Sequence, residues 1–423
     1  MMNDLIRFFI GLDDTDHLEI GCTTEKMNNF LSYLNNNISI QIVERRLVRL
    51  WPFASRRTRG NAALSAIIDV KPKDESDFHN LCDIWFKDLL FEISSHPKSE
   101  LSASPVLITS REPLPEKLYW QTVMEYVDIN ARLQDIRDYD CNIYSGDDCW
   151  GLIGASAAIS WTPDNSSSWE LIAWRKSSMI GKRRILDIQT VVDLDRIFPD
   201  TFLNRDPTKN RDLIAPRTPC PVLYGIRALS STTLDSAHNW IQSTGDAEIC
   251  SDYAIHRTNQ LSDDHVTPTH GTITSESFTS KGAHSSISVY TQDKSCTLVA
   301  FSEGGQVNKL LRSLKPGDMV SWTGLFSPED SCIHLEKLSL FNPVPRISHR
   351  PLCCSVSMKS AGNNQELRCN KCGNKSSKYW IGKLFQFSNF EMIDKWVEPS
   401  PSNRRHLAKP LDIQTPILNN LIS

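Results

Sequence analysis

The stretch "GLDDTDHLEIGCTT", Gly11–Thr24, sets three aspartates within four residues and follows them with a cysteine and two threonines. Before it, "RFFIGL" has the run of aromatic and β-branched residues of a buried strand. After it, "TTEKMNNFLSYL" places Met27, Phe30, Leu31 and Leu34 at helical spacing, with Thr23 or Thr24 available as N-cap. The aspartates therefore fall in a strand-to-helix turn of an α/β layer. A helix N-terminus offers N–H groups and a positive dipole end, so the pattern suits a phosphate over Cys22 to Glu25 and a cation held by Asp13, Asp14 and Asp16. The competing reading is a solvated Asp-rich turn that only caps a helix. Neither a Walker A loop, nor G-x-G-x-x-G, nor H-E-x-x-H occurs in the chain.

The rest of the composition narrows the class. At 423 residues, with 40% hydrophobic and 23% charged residues, the chain is long enough for several globular domains. No membrane span is expected, and the short apolar run "LIRFFIGL" carries Arg7 and leads straight into aspartates, so it reads as a strand rather than a signal peptide. That points to the cytoplasm. Twelve cysteines are too dilute for a disulfide scaffold, and the C-x-x-C pair among them points to metal. The net charge of -4 conceals an asymmetry, since Pro345 to Ser423 holds 12 Lys and Arg against 5 Asp and Glu. A second basic stretch, "ERRLVRLWPFASRRTRG", carries six arginines. Phosphate is the expected ligand of both.

Further along, "CWGLIGASAAISW" collects Gly151, Gly154, Ala155, Ala157 and Ala158, small residues that permit close backbone packing. Between His265 and Phe341 the texture changes to short strands, about the size of a five-stranded barrel of the OB type. Cys369 and Cys372 form a knuckle pair, with Cys353 and Cys354 about fifteen residues upstream. Adjacent cysteines do not make a C-x-x-C turn, which leaves open one upstream cysteine plus His349, or a ribbon without metal.

Taken in order, "GLDDTDHLEIGCTT", "TRGNAA", "GLIGASAA", "WELIAWR", "PCPVLYGIR", "PGDMVSWTG", "RCNKCG" and "RRHLAKPL" resemble the archaeal agmatidine synthetases, the tRNA-isoleucine 2-agmatinylcytidine synthetase family, along essentially the whole chain. The resemblance implies an α+β multidomain protein. Its parts would be an ATP-dependent kinase-like α/β catalytic domain over 1–130, a ferredoxin-like domain over 131–260, an OB-fold over 265–342, and a zinc ribbon with a basic RNA-binding region over 345–423. The implied activity joins agmatine to carbon 2 of the wobble cytidine in a CAU-anticodon isoleucine tRNA, consuming ATP to AMP.

Carried over by position, the resemblance implies Asp13, Asp14 and Asp16 as ligands of Mg²⁺ and ATP phosphates, and Thr23 as a phosphorylated catalytic threonine. Thr24, Arg59 and Asn61 would lie near the nucleotide, Zn²⁺ would sit among Cys353, Cys354, Cys369 and Cys372, and Arg404, Arg405 and Lys409 would meet RNA. Two positions depart from the family pattern: Ile20 replaces a glycine, and Pro351 falls where the first ribbon cysteine stands. An RNA-binding homologue without transfer activity, or the same chemistry with another amine, are the alternatives. The intact aspartates and threonines argue against the first.

Overall fold

A computed structural model describes residues 5–16, 21–57, 60–95, 102–164, 167–292, 294–383 and 392–413. The chain divides into two units, Met1–Val266 with Arg404–Ser423, and Thr267–Asn403. Among the described residues no helix is long and apolar enough to cross a membrane.

The first unit is built on one eight-stranded sheet. In chain order its main elements are β1 (Ile6–Asp13), α1 (Thr23–Asn37), β2 (Ile40–Arg49), β3 (Ala62–Val70), α2 (Glu75–Ser94), β4 (Val106–Ser110), α3 (Lys117–Met124), α4 (Ile129–Ile136), β5 (Cys141–Ser145), α5 (Gly151–Ser160), β6 (Ser168–Arg175), α6 (Ile188–Ile197), β7 (Val222–Ala228), α7 (Ser231–Thr244) and β8 (Cys250–Thr258). The spatial order is β5-β4-β1-β3-β2-β8-β6-β7. All ladders are antiparallel except the junction of β2 with β8, where Arg46 and Leu47 pair with Arg257 and Thr258 in parallel. The segments read from the sequence as separate 1–130 and 131–260 domains thus share a sheet. Between Ile6 and Ser110 the elements run β-α-β-β-α-β, with spatial strand order β4-β1-β3-β2.

Strand periodicity sorts β1 between two helix layers. Phe8, Ile10 and Leu12 pack with Met27, Phe30, Leu31 and Leu34 of α1 and Phe78, Cys82 and Phe86 of α2. Gly11, of opposite parity, faces α5, where a Cβ would overlap the Ala155 carbonyl oxygen. One step on, a Cβ on Gly154 would overlap the Asp13 carboxylate. The small residues of "GLIGASAA" therefore serve backbone packing, as read from the sequence, and seat Asp13 as well. On the other half of the sheet, α6 and α7 cover Leu171, Ala173, Leu223 and Ile226.

The segment 404–413 also belongs to this unit. Leu407 is buried beside Val48, Leu50, Tyr119 and Ala157.

In the second unit, β9 (Thr269–Ile273), β10 (Ser285–Thr291), β11 (Lys294–Ala300), α8 (Gln306–Ser313), β12 (Met319–Ser327) and β13 (Cys332–Asn342) form a closed five-stranded barrel. It runs β9-β12-β13-β11-β10 and back to β9, with only β11 and β13 parallel. A separate set of short hairpins spans Ile347 to Lys383 around Met358, Leu367 and Cys369.

Gly11→Ala should lower unfolding free energy by roughly 1–3 kcal/mol, the usual range for overpacking, because the new methyl meets backbone that cannot rotate away. Urea denaturation against the unaltered protein measures it.

Candidate functional site

Asp13 ends β1, and Asp14 turns the chain with a left-handed φ of 56°, a conformation Asp tolerates better than most residues. Asp16 and Thr15 are buried. The N-cap of α1 is Cys22, with no side-chain capping bond, so the expectation of Thr23 or Thr24 as cap does not hold. Both threonines lie inside the helix because the extended Cys22 backbone makes the turn.

Freed from capping, Thr23 Oγ1 donates to Asp16 Oδ1 at 3.1 Å and accepts from Thr15 Oγ1 at 3.2 Å. Thr24 is engaged elsewhere: its hydroxyl accepts from Trp174 Nε1 at 3.1 Å and lies 3.0 Å from Cys22 Sγ. A hydroxyl donating to a buried carboxylate is the arrangement of a nucleophile and its base.

Burial pushes the Asp13 carboxyl well above the usual range, and neighbouring Asp14 and Asp16 push it further. Asp14 is raised to about 7, chiefly by burial and by Asp16, against the opposing pull of Arg56. Crowded carboxylates of this kind suit a hard divalent cation, whose charge reverses the repulsion and which takes oxygen ligands. Arg56 is held by Trp150, 5.4 Å from the ring centroid, and by the Ser102 carbonyl at 2.8 Å.

Two clefts meet at this point. The first, enclosing about 800 Å³ of open space on the α5 side, is lined by Asp13, Asp14, Arg56, Arg57, Trp51 and Gly154. The buried Trp51 Nε1 has no protein partner among the described residues, leaving a donor for a ligand. The second, about 1360 Å³, lies on the side of α1 and is lined by Thr23, Arg49, Glu170, Arg211, Arg217 and Arg227. Asp16, Asn61 and Ala62 line both. Asn61, at φ 39°, donates to the Trp51 carbonyl at 2.6 Å and so shapes the loop between the clefts. Arg59 lies outside the described residues.

The floor of the second cleft was not singled out by sequence reasoning. Glu170 accepts from Arg49 Nη2 at 3.0 Å and from Arg227 Nε at 3.2 Å. Burial alone would raise its pKa, but Arg49 and Arg227 outweigh burial and hold it at about 2. The signal was available: "SWELIAWR" sets Glu170, and "VLYGIRA" sets Arg227, among apolar strand residues, which fold only if the two charges find each other. The tail residues Arg404, Arg405 and Lys409 belong to this unit rather than to the one with the barrel. Arg405 stacks 4.5 Å over Phe53, and the Lys409 N–H donates to Asp263 at 2.9 Å.

In the second unit the four ribbon thiols converge, each Sγ within 4.8 Å of the others. Cys353 Sγ lies 3.6 Å from Cys372 Sγ and 4.0 Å from Cys354 Sγ. Tetrahedral zinc with Zn–S of about 2.3 Å spaces its sulfurs at about 3.8 Å, so the thiols fit the ion. Adjacent cysteines serve because Cys354 and Ser355 are both left-handed, at φ 51° and 62°, which turns the second thiol back. His349 is not in the cluster; its Nδ1 lies 3.0 Å from the Ile381 carbonyl. Backbone N–H groups of Cys372 and Lys371 bring Cys369 down to about 7, favouring the thiolate that binds metal.

Three family profiles match this chain: the TiaS TCKD domain over 9–148, the TiaS FLD domain over 150–265 and the TiaS C-terminal zinc ribbon domain over 350–383. The chain belongs to the TiaS family. It is 28% identical to the isoleucine-tRNA 2-agmatinylcytidine synthetase TiaS of Archaeoglobus fulgidus, with 96% of this chain and 97% of that protein covered. Its fold matches the crystal structure of a TiaS complex with isoleucine tRNA and ATP at TM-score 0.78 and 28% identity. A TiaS complex with isoleucine tRNA, AMPCPP and agmatine matches at TM-score 0.78 and 25% identity. Both alignments cover 97% of this chain and 98% of the other.

Two outcomes follow from this geometry. Purified protein should hold one zinc per chain, and Cys354→Ser should weaken retention as Cys372→Ser does; metal analysis after dialysis against a chelator reads both. The Glu170 pKa, depressed below its unfolded value, stabilises the fold above about pH 4.5 and is lost as pH falls toward about 2. Urea midpoints of Glu170→Gln and unaltered protein should therefore converge with acidification across that window.

Proposed function

We propose that this protein ligates agmatine to carbon 2 of the wobble cytidine in a CAU-anticodon isoleucine tRNA, using ATP. Membership of the TiaS family supports the reading, as does likeness to proteins crystallised with isoleucine tRNA, ATP or its analogue, and agmatine. The observation that carries it at residue level is the Thr23–Asp16 pair where the two clefts meet.

The chemistry explains why two chambers must join. The carbonyl oxygen of cytosine is a poor leaving group, and phosphorylating it lets an amine displace it as phosphate. ATP occupies the first cleft, with its phosphates toward Asp13 and Asp14 and near Arg56 and Arg57. Mg²⁺ bound by the aspartates would neutralise triphosphate charge. Asp16 takes the proton of the Thr23 hydroxyl, and Thr23 receives the terminal phosphoryl group of ATP on the border of the second cleft as the P–O bond to the nucleotide breaks with its electron pair onto the departing nucleotide. The flipped-out cytidine enters the second cleft, where Arg211 and Arg217 face its phosphate.

Within this reading the first unit holds the kinase-like and ferredoxin-like parts, the barrel acts as an OB-fold for RNA, and the ribbon, Arg404, Arg405 and Lys409 add backbone contacts. The reaction belongs to the cytoplasm, where charged nucleotides and tRNA are available together.

Incubating the protein with isoleucine tRNA, ATP and agmatine should add agmatine, less water, to the wobble nucleoside, as read by mass spectrometry. Asp13→Asn, Asp14→Asn and Thr23→Ala should each lower this by about 10² or more, the scale of losing transition-state charge stabilisation or the acceptor itself. Phosphopeptide mapping should find phosphate on Thr23, and unchanged transfer by Thr23→Ala would remove it from the mechanism.

A further inference from the structure

The second cleft contains an imidazole to which the reaction so far gives no task. His406 comes from the segment that follows Asn403 and lies in the first unit. Its backbone is pinned from both sides: the Leu261 N–H donates to the His406 carbonyl at 3.2 Å, and the Asp263 N–H donates to the Leu407 carbonyl at 3.0 Å. Buried Leu407 and Ala408 anchor the next turn of chain. The His406 side chain stays exposed and lines both the large cleft and the smaller one beside it. An anchored backbone with an exposed ring inside a concavity presents that ring to whatever fills the space.

We propose that His406 accepts the proton from the attacking amine as it displaces phosphate from the activated cytidine. The inference rests on the proposed ligation and assigns it a base. An alkylamine attacks only as the free base, and once its nitrogen has bonded to carbon it carries a positive charge that it sheds as a proton, so one proton must leave the nitrogen at the reacting carbon. Arginine side chains around the cleft are donors without an acceptor. Among the proton-accepting side chains that line it, Glu170 is held by Arg49 and Arg227, Asp16 receives the Thr23 hydroxyl, Cys22 pairs with Thr24, and Cys220 accepts from Arg184 at 3.4 Å. The His406 imidazole is the remaining nitrogen base of that lining.

Its surroundings keep the lone pair available. Arg49 from β2 lowers the His406 pKa most, Arg227 from β7 adds to this, and Glu170 from β6 opposes. Arg57, Arg405 and His265 line the adjoining cleft. The ring is thus favoured in its neutral, proton-accepting form near neutral pH. A phosphate dianion on the cytosine oxygen offsets the arginines while the reaction occurs, so the imidazolium form is then tolerated. The balance closes: the C–N bond forms, the C–O bond to phosphate breaks with its electron pair, and the proton passes from nitrogen through the imidazole to the departing phosphate.

Single-turnover agmatine transfer as a function of pH tests this in the full-length protein. Transfer by the unaltered protein is the control, and its absence would count against the proposed ligation rather than against His406. His406→Gln should reduce transfer at neutral pH on the order of 10²-fold, the usual worth of a general base. Both proteins should follow the free-amine fraction as pH rises, and the His406→Gln deficit should persist at equal free-amine concentration. Added imidazole should restore part of the activity to His406→Ala. No loss in His406→Gln, or no rescue of His406→Ala by added imidazole, overturns the proposal, and a thermal melt of each variant guards against reading unfolding as chemistry.

Discussion

Strand β1 and helix α5 meet at close range, with Gly11 against the Ala155 carbonyl, Gly151 against the Asp13 carbonyl and Gly154 against the Asp13 carboxylate, and the site depends on that contact. A larger residue at any of these points would lift the helix from the sheet. The end of β1 would then lose its wall, and the Asp13 carboxylate its seat. Because β1 lies in the interior of the sheet between β4 and β3, its end cannot shift without breaking two ladders. Rigid placement is what a cluster of like charges requires, since Asp13, Asp14 and Asp16 would otherwise move apart.

The same constraint divides the chemistry in space. Successive residues of a strand point to opposite faces, so the first cleft forms on the α5 side and the second on the α1 side. Asp16 and Asn61, in the turns at the sheet end, are reached from both. Charge follows the same division. The first cleft concentrates carboxylates that call for a cation, and the second concentrates arginines that call for an anion. In the proposed reaction a phosphoryl group passing from one to the other, by way of the Thr23 hydroxyl, would move toward positive potential.

Much of this was legible in the sequence, for reasons that can be named. "GLDDTDHLEIGCTT" reads as strand, turn and helix because hydrophobic period changes from two to 3.6 across it, and the glycines of α5 announce close packing. What stayed hidden is long-range pairing. Nothing local in "ERRLVRL" says that Arg46 and Leu47 would lie beside Arg257 and Thr258 and join two halves into one sheet. Nor could spacing show that adjacent Cys353 and Cys354 both turn inward, because that rests on two left-handed residues without a glycine. The net positive charge of the last residues suggested one basic region. Burial of Leu407 and Ala408 in the first unit was instead encoded by two small apolar residues inside "RRHLAKPL", too short a signal to read alone.

That return of the chain has a consequence for assembly. The barrel and ribbon occupy the interval between Val266 and Arg404, so the first unit is discontinuous in sequence. Val48, Leu50 and Ala157 are fixed by the N-terminal half, yet their apolar cluster is completed only by Leu407. The second cleft likewise gains His406 only when the tail docks. Closing so long a loop costs little more entropy than closing a shorter one, since the cost grows only with the logarithm of length. The docking of a few residues therefore suffices to hold it, and a chain that has not yet made its barrel and ribbon cannot have a finished cleft.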